Sequence, residues 1–528
     1  MPVLAGWLTG EQVPYETIDQ TLTAMGEVLG RYGGTPAGNI QAGSGLLTYA
    51  DTAYAMQQST EPPVLDWVPD RRTLVYRRPL SGMHPLYFIE NWPAQGNLLF
   101  ASEMKALFQV GVPRRFHLPA LAALLRYGFI PAPWTIFKDI QVVPAGSILR
   151  WQRAKTVLNS STDYRFNTPS PPQSDPEHLT TLLKDASTAL LPPHDQLVAL
   201  ASGGPASALA TLFTAQQTTV PFTVASLGYT KSLDAKAWVD AQRVAAASKR
   251  PFLAVIGVDQ PDFWASTVTT LESPAVDTRP LGLQQLLHTA AAETGARVAM
   301  SGLGANLFFG PASTSPAPPD ASSEPQDVLL WYGNLLATHS SQPDAQLWSS
   351  DTLQSLQQEE PWEETLHARK LARSAAQFAD TRQRALYLDL HLRLPDLLVG
   401  PLQQLGTQAR LMVRSPYLTP TVMESLLQRA THEQTTDTSL ASLVQRYISD
   451  FPLKPAKLPL ALPTQSFATL DDFDLLRRTL SPEAIRAANI FAPESVETLI
   501  QQAKGKTVPR ELFLVFTTQL LHSLFSIE

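Results

Sequence analysis

HDQLVALASGGPASALATLF, residues 194–213, is the stretch whose reading decides the fold. QLVALA is a short apolar run bounded by turn residues, which reads as a buried strand. ALATLF reads as the opening of a helix. Between them stand two glycines and two serines, a backbone cradle of the kind that holds phosphate at a helix N-terminus. Yet Ala206 occupies the position where a carboxylate would serve a phosphate-bound metal. The plainer reading of the same turn is a tight strand-to-helix connection that needs positive φ.

The same pattern extends outward. FTVASLG, FLAVIG and RVAMSG are further strand candidates, and AKAWVDAQRVAAASK and LGLQQLLHTAAAETG are helical between them. Strands alternating with helices predict an α/β unit with a parallel sheet covered on both faces. Ligands of such sheets sit beyond the carboxyl ends of the strands. A second glycine turn, AMSGLGANLFFG, falls at such an end, so the two turns are expected to face one pocket. Upstream, TLVYRRPL, HPLYFIEN, NLLFAS and GSILRWQ predict an antiparallel β domain with a few helices. RFNTPSPPQSDPEH (165–178) and PASTSPAPPDASSEPQ (311–326) read as a linker and an exposed loop, being rich in Pro, Ser and Asp. From about residue 327 the pattern is mostly helical, as in RQRALYLDLHLRL and RELFLVFTTQLLHSLF. No internal repeat is present.

Bulk composition narrows the function classes. With 528 residues, two or more domains are expected. A net charge of -7 argues against a general nucleic-acid binder. No apolar run of about eighteen residues is present, so no membrane span is expected. The N-terminus lacks the charged start and apolar core of a signal peptide. The absence of cysteine excludes disulfides, thiolate zinc sites and a cysteine nucleophile. A cytoplasmic protein is expected. The 44 prolines are scattered and do not mark the chain as disordered.

Six ordered motifs carry a resemblance. RRPLSGMHPLYF (77–88), FASEMKALF (100–108), FIPAPWTIFKDIQVVPAGSILRW (129–151), SGGPAS (202–207), SGLGANLFFG (301–310) and LPDLLVGPLQQLGTQARLMVRSPYL (394–418) resemble segments of the asparagine synthetase family. Its relatives include the β-lactam synthetases and the lasso-peptide macrolactam cyclases. The resemblance implies an N-terminal αββα, Ntn-hydrolase-like sandwich over residues 1–165 and a linker over 166–178. It further implies an ATP-pyrophosphatase domain (adenine nucleotide α-hydrolase-like) over 179–528, helical in its C-terminal part. In the active family a glutaminase releases ammonia, and the second domain adenylates a carboxylate with Mg-ATP before forming an amide. The lactam-forming branch uses an internal amine instead.

Several positions depart from the family pattern. The glutaminase nucleophile is the residue exposed after Met1, and here Pro2 has no nucleophilic side chain. Pro79 replaces the acid of the family's RD pair, and its glutamine-holding NGEIYN loop is not recognisable between residues 30 and 60. Glutamine hydrolysis is therefore not expected, and the first domain is read as a structural partner. In the second domain, the family's magnesium-binding acids are Ala206 and Asn306, and the following Glu is Leu307. Magnesium takes hard, mostly anionic oxygens. A single unit charge at about 4 Å is worth roughly 4 kcal/mol at an effective dielectric near 20. Asp234, matching the family's DE pair, and Glu272, near its DEP segment, are candidates to compensate, or else ordinary solvated side chains. Gln403 and Gln404 replace a DR pair, and Met412 replaces a Glu, while Arg414 remains. Such joint replacement points to a relaxed demand for adenylation.

Other features persist. Ser202, Gly203, Gly204 and Ser207 keep the phosphate turn, and Ser301, Gly302 and Gly304 keep the facing turn. Asn306 still offers a neutral oxygen. KPAKLPLALP (454–463) resembles the family's RxKxGFxxP, which places Lys457 where the family has a lysine that neutralises charge in the amide-forming step. The alternative is a surface lysine in a Pro-rich loop. His84 is read as structural. No metal ligand is assigned.

Three functions stay open. The first is a pseudo-synthetase scaffold that binds an acyl substrate, a carrier or an active paralogue. The second is a repurposed amide- or lactam-forming enzyme acting on a pre-activated acyl group. The third is an ATP-dependent lactam or macrolactam synthetase with relocated metal ligands. No cofactor is expected, with ATP and magnesium only if the site is compensated. The expected partners are a small-molecule or carrier-bound acyl substrate and a homodimer or heterodimer mate; nucleic acid and membrane are not expected.

Overall fold

Strand alternation builds the N-terminal part of the computed structural model. The structure describes residues 3–32, 36–49, 60–160, 176–229, 235–258, 262–309, 324–336, 345–378, 380–432, 437–454, 474–504 and 508–528. In chain order the N-terminal strands are β1 (Leu4–Leu8), β2 (Pro36–Gln41), β3 (Ser44–Tyr49), β4 (Val64–Val68), β5 (Thr73–Arg77), β6 (Tyr87–Glu90), β7 (Leu98–Ala101), β8 (Gln141–Val142), β9 (Ser147–Gln152) and β10 (Lys155–Ser160). They pair into two antiparallel sheets, ordered β2-β3-β1-β7-β6-β8 and β10-β9-β5-β4.

In β9 every second side chain is buried, the period of a half-buried strand. Leu74, Tyr76, Leu149 and Trp151 of the smaller sheet meet Leu4, Leu8, Phe88 and Phe100 of the larger one. β1 is buried along its whole length, because its other face lies under the helix Tyr15–Leu29. That helix presents Ile18, Leu22, Met25 and Leu29, spaced for one face. Among the described residues the helical cover lies on the six-stranded sheet.

The C-terminal part is built on β11 (Leu197–Leu200), β12 (Thr223–Gly228), β13 (Phe252–Ile256), β14 (Val298–Met300) and β15 (Met412–Arg414). These strands are parallel in the order β13-β12-β11-β14-β15. β11 is apolar and buried throughout, as parallel strands covered on both faces are. Four of the five strands fall on the expected apolar runs; β15 is too short to show a period. The helix expected over RQRALYLDLHLRL is α-helical over Thr381–Leu388 and continues as a wider π-helix over Asp389–Val399, which contains Pro395. Proline cannot donate to the helical ladder and its ring crowds the preceding turn, which disrupts regular α pairing there. The helix Pro176–Ala189 begins within the expected linker, with proline at its first position and Glu177 in its first turn. No described helix is long and apolar enough to cross a membrane.

The two domains are tied by buried polar contacts. Glu272 accepts the Met104 N–H at 2.9 Å and the Lys105 N–H at 2.6 Å, at the start of the short helix Met104–Phe108. Lys105 Nζ lies 3.5 Å from the same carboxylate and donates to the Thr269 carbonyl at 2.7 Å. Gln403 Oε1 accepts the His84 N–H at 2.6 Å. Gln404 Nε2 donates to the Tyr87 hydroxyl at 3.1 Å and to the Leu271 carbonyl at 3.2 Å. The pair of amides that replaces two charges is thus an interdomain strap. Gly82, at φ +80, permits the closest approach: a β-carbon there would stand 2.2 Å from Pro395 Cβ. Gly82→Ala is expected to cost about 2 kcal/mol or more, through both the clash and the backbone conformation. Urea unfolding checks this, and wild-type stability in the variant would contradict the tight interdomain fit.

Candidate functional site

The two glycine turns stand against each other. After β11, Gly203 adopts φ +76, and Gly204 precedes the helix Pro205–Gln217. Ser207 Oγ accepts the Ser202 N–H at 3.1 Å and donates to the Gly204 carbonyl at 3.0 Å. The Ser207 hydroxyl therefore closes its own turn. After β14, Ser301 N–H and Oγ both donate to the Arg414 carbonyl, at 2.9 and 3.1 Å. Gly302 then packs on the first helical turn. A β-carbon there would lie 2.6 Å from Ser207 N and 2.7 Å from the Ala206 carbonyl carbon, so no larger residue fits. Tyr417 donates to the Ala206 carbonyl at 3.1 Å, and Ser415 to the Leu303 carbonyl at 2.7 Å.

Between the turns opens a cavity of about 250 Å³ at the carboxyl ends of the strands. Its polar lining is Ser202, Ser207, Ser226, Ser301 and Asn306; the rest is backbone and apolar side chain. No Asp, Glu, Lys, Arg or His lines it among the described residues. The Ala206 methyl faces this cavity, the Asn306 side chain is exposed, and Leu307 packs into the neighbouring apolar cluster. Ser226 lies within β12 with 1% of its surface exposed, and its hydroxyl has no hydrogen-bond partner among the described residues. The sequence reading missed it. Its signal in the sequence is a serine in the middle of the largely apolar run FTVASLG.

The structure brings Ser202, Gly204, Ser207, Ser301, Gly302 and Asn306 to this cavity, with Gly203 and Gly304 shaping the two turns. Glu272 stands apart from them. It is fully buried, holds φ +53 and lines a second cavity, of about 240 Å³, between the two domains. Burial pushes its carboxyl up, against the pull of Lys105 and the two N–H donors. Asp234 and Lys457 lie outside the described residues. His84 is buried at φ +55, and burial lowers its basicity well below the usual histidine range. Arg414 is buried and donates to the Leu190 carbonyl at 2.5 Å, which holds β15 to the chain before β11. Leu283, Leu303 and Leu402 line both cavities and form a shared apolar wall.

Comparison with known families agrees with this architecture. Residues 65–164 match the glutamine amidotransferase domain, and residues 178–523 match the asparagine synthase domain. The latter family normally uses ATP and magnesium. No curated protein matches the chain.

Two of the cavity's hydroxyls, Ser207 and Ser226, should respond differently to removal. Ser207→Ala deletes a paired acceptor and is expected to lower unfolding free energy by about 1 kcal/mol. Ser226→Ala deletes a buried hydroxyl without a partner and should leave stability unchanged or raised. Chemical denaturation of both variants checks the contrast, and equal losses would contradict it.

Proposed function

Since this chain belongs to the asparagine synthase family, we propose that it is a synthetase scaffold that has given up gripping magnesium polyphosphate and binds an acyl substrate or carrier in a biosynthetic pathway. One observation carries the reading: the described lining of the cavity between the two glycine turns is uncharged. A polyphosphate with its metal concentrates charge of both signs in a small volume. Helix N-terminal amides offer only about half a unit of positive charge, and magnesium is held chiefly through carboxylates and phosphates. Ala206 and Leu307 offer no oxygen, and Asn306 offers a neutral one. The residues present do not fit that group. Within this reading the N-terminal domain is a structural partner, which the strap of Glu272, Gln403 and Gln404 supports.

A second reading rests on the room that remains. The cavity keeps its hydroxyls and about 250 Å³ of largely apolar space, which suits an acyl chain activated beforehand, for example as a thioester. An amine nitrogen would bond to the acyl carbon as the carbon–sulfur bond breaks, and the amine proton would leave with the thiol. Lys457 is the residue assigned to stabilise the developing oxyanion.

Titration calorimetry with Mg-ATP tests the first reading. Binding is expected to be weaker than about 1 mM, near -4 kcal/mol. Tight binding with pyrophosphate release would overturn it in favour of an ATP-dependent synthetase with relocated metal ligands. Under the second reading, Lys457→Ala abolishes amide product from an acyl thioester and an amine, and an unchanged rate rules that reading out.

A further inference from the structure

The cavity between the domains has a polar character of its own. Its cationic side chain from the N-terminal domain, Arg78, is spent on carbonyls: Nε and Nη2 donate to Gly82 O at 3.1 and 2.6 Å, and Nη1 to Val143 O at 2.8 Å. Glu272 is committed to the helix Met104–Phe108 and Lys105. Asp277 and Arg279 pair with each other at 2.6 Å. Asp396 differs from all of these. One carboxylate oxygen accepts the Ala132 N–H at 2.9 Å, and the other has no hydrogen-bond partner among the described residues. The carbonyl oxygen of the Gln404 side chain has none either, since only its Nε2 is engaged. The side-chain valences left open by these two residues are both acceptors. Tyr87, Phe129 and Trp134 also line this cavity.

We propose that the interdomain cavity is a binding site for a small organic cation, a primary amine on an apolar body, whose ammonium bonds to Asp396. An ammonium supplies the donors that Asp396 and Gln404 lack. Aromatic faces attract a cation further. A carboxylate ligand would meet the like charge of Asp396, and three of the five Arg78 N–H groups are already given to carbonyls. A cavity of about 240 Å³ has room for several water-sized groups, and so for a small aromatic body. The occupant therefore has the size of an arylalkylamine. This site is separate from the uncharged cavity, so it stands whether or not the chain binds nucleotide.

Protonation gives the site a signature. Burial pushes the Asp396 carboxyl up to about 7, against the pull of Arg78 and the Ala132 N–H. The other titratable groups facing the cavity are Arg78, Tyr87, Glu272, Asp277 and Arg279. An ammonium binds the ionised carboxylate, so its affinity rises with pH through that range. An alkylamine, near the lysine value of about 10.4, stays charged throughout.

The experiment is titration calorimetry of the full chain with 2-phenylethylamine, the isosteric 2-phenylethanol and 3-phenylpropionate. The amine is expected to bind at least tenfold more tightly than the alcohol, and the acid not to bind. Amine affinity is expected to rise about tenfold from pH 6 to pH 8, with the alcohol unaffected. Asp396→Asn should weaken the amine at least tenfold and leave the alcohol unchanged, which also shows that the variant keeps its cavity. The proposal is overturned by amine and alcohol binding equally, by a flat pH profile, by undiminished amine binding in Asp396→Asn, or by no amine binding up to about 10 mM. If the variant does not fold, the pH profile and the alcohol comparison on the unaltered chain still decide.

Discussion

A carboxylate taken wholly out of water must be met by donors, and Glu272 is met by donors from the other domain. Desolvating such a group costs several kcal/mol, which only close hydrogen bonds and an opposite charge offset. The first-turn amides of Met104–Phe108 and the Lys105 ammonium supply both. Glu272 also holds a left-handed backbone conformation, which a non-glycine residue keeps only where its surroundings impose it. Pulling the domains apart would leave the loop strained and the helix start without its acceptor. The docking of the two domains therefore has one preferred geometry.

That geometry creates the space between them. The Gly82 turn comes to rest on Pro395 in the π-helix, and the residue after this proline, Asp396, meets the N–H of Ala132. Further along, Gln403 and Gln404 reach across to His84 and Tyr87. Neutral amides suit this position. They satisfy backbone and hydroxyl partners without the desolvation cost that a charged pair would carry. Replacements that look like erosion of a catalytic motif are here the hydrogen bonds of an interface.

The cavity beyond the parallel sheet tells a complementary story. Its backbone scaffold is intact: the positive-φ glycines, the close stacking of Gly302 on the first helical turn, and the Tyr417 bond that pins Ala206. Ala206 and Leu307 present a methyl and a leucyl side chain at the positions where the resemblance implies acids. A scaffold of this kind keeps shape independently of charge, because its turns are held by backbone and hydroxyl contacts rather than by ion pairs. Shape and electrostatics can thus diverge within one fold, and it is the electrostatics that decides which ligands are attracted.

Much of this was legible beforehand. β11 to β14 are apolar runs bounded by turn residues; burial on both faces imposes that pattern on β11, β12 and β14, while β13, at the edge of the sheet, leaves Ile256 exposed. The uncharged residues Ala206, Asn306 and Leu307 are read directly from the sequence, at positions where the resemblance implies acids. β15 was not legible, since three residues carry no period. Neither was the bond of Glu272 to Met104, which lies 168 residues away in the chain. Ser226 and Asp396 gained their character only from the walls that desolvate them. The amino-acid order alone determined the alternation of elements, the family and the uncharged residues of the glycine turns, because these are local or compositional. Only the tertiary structure decided which groups face which across the domains, because hydrogen-bond satisfaction and burial belong to the neighbours a side chain acquires in space.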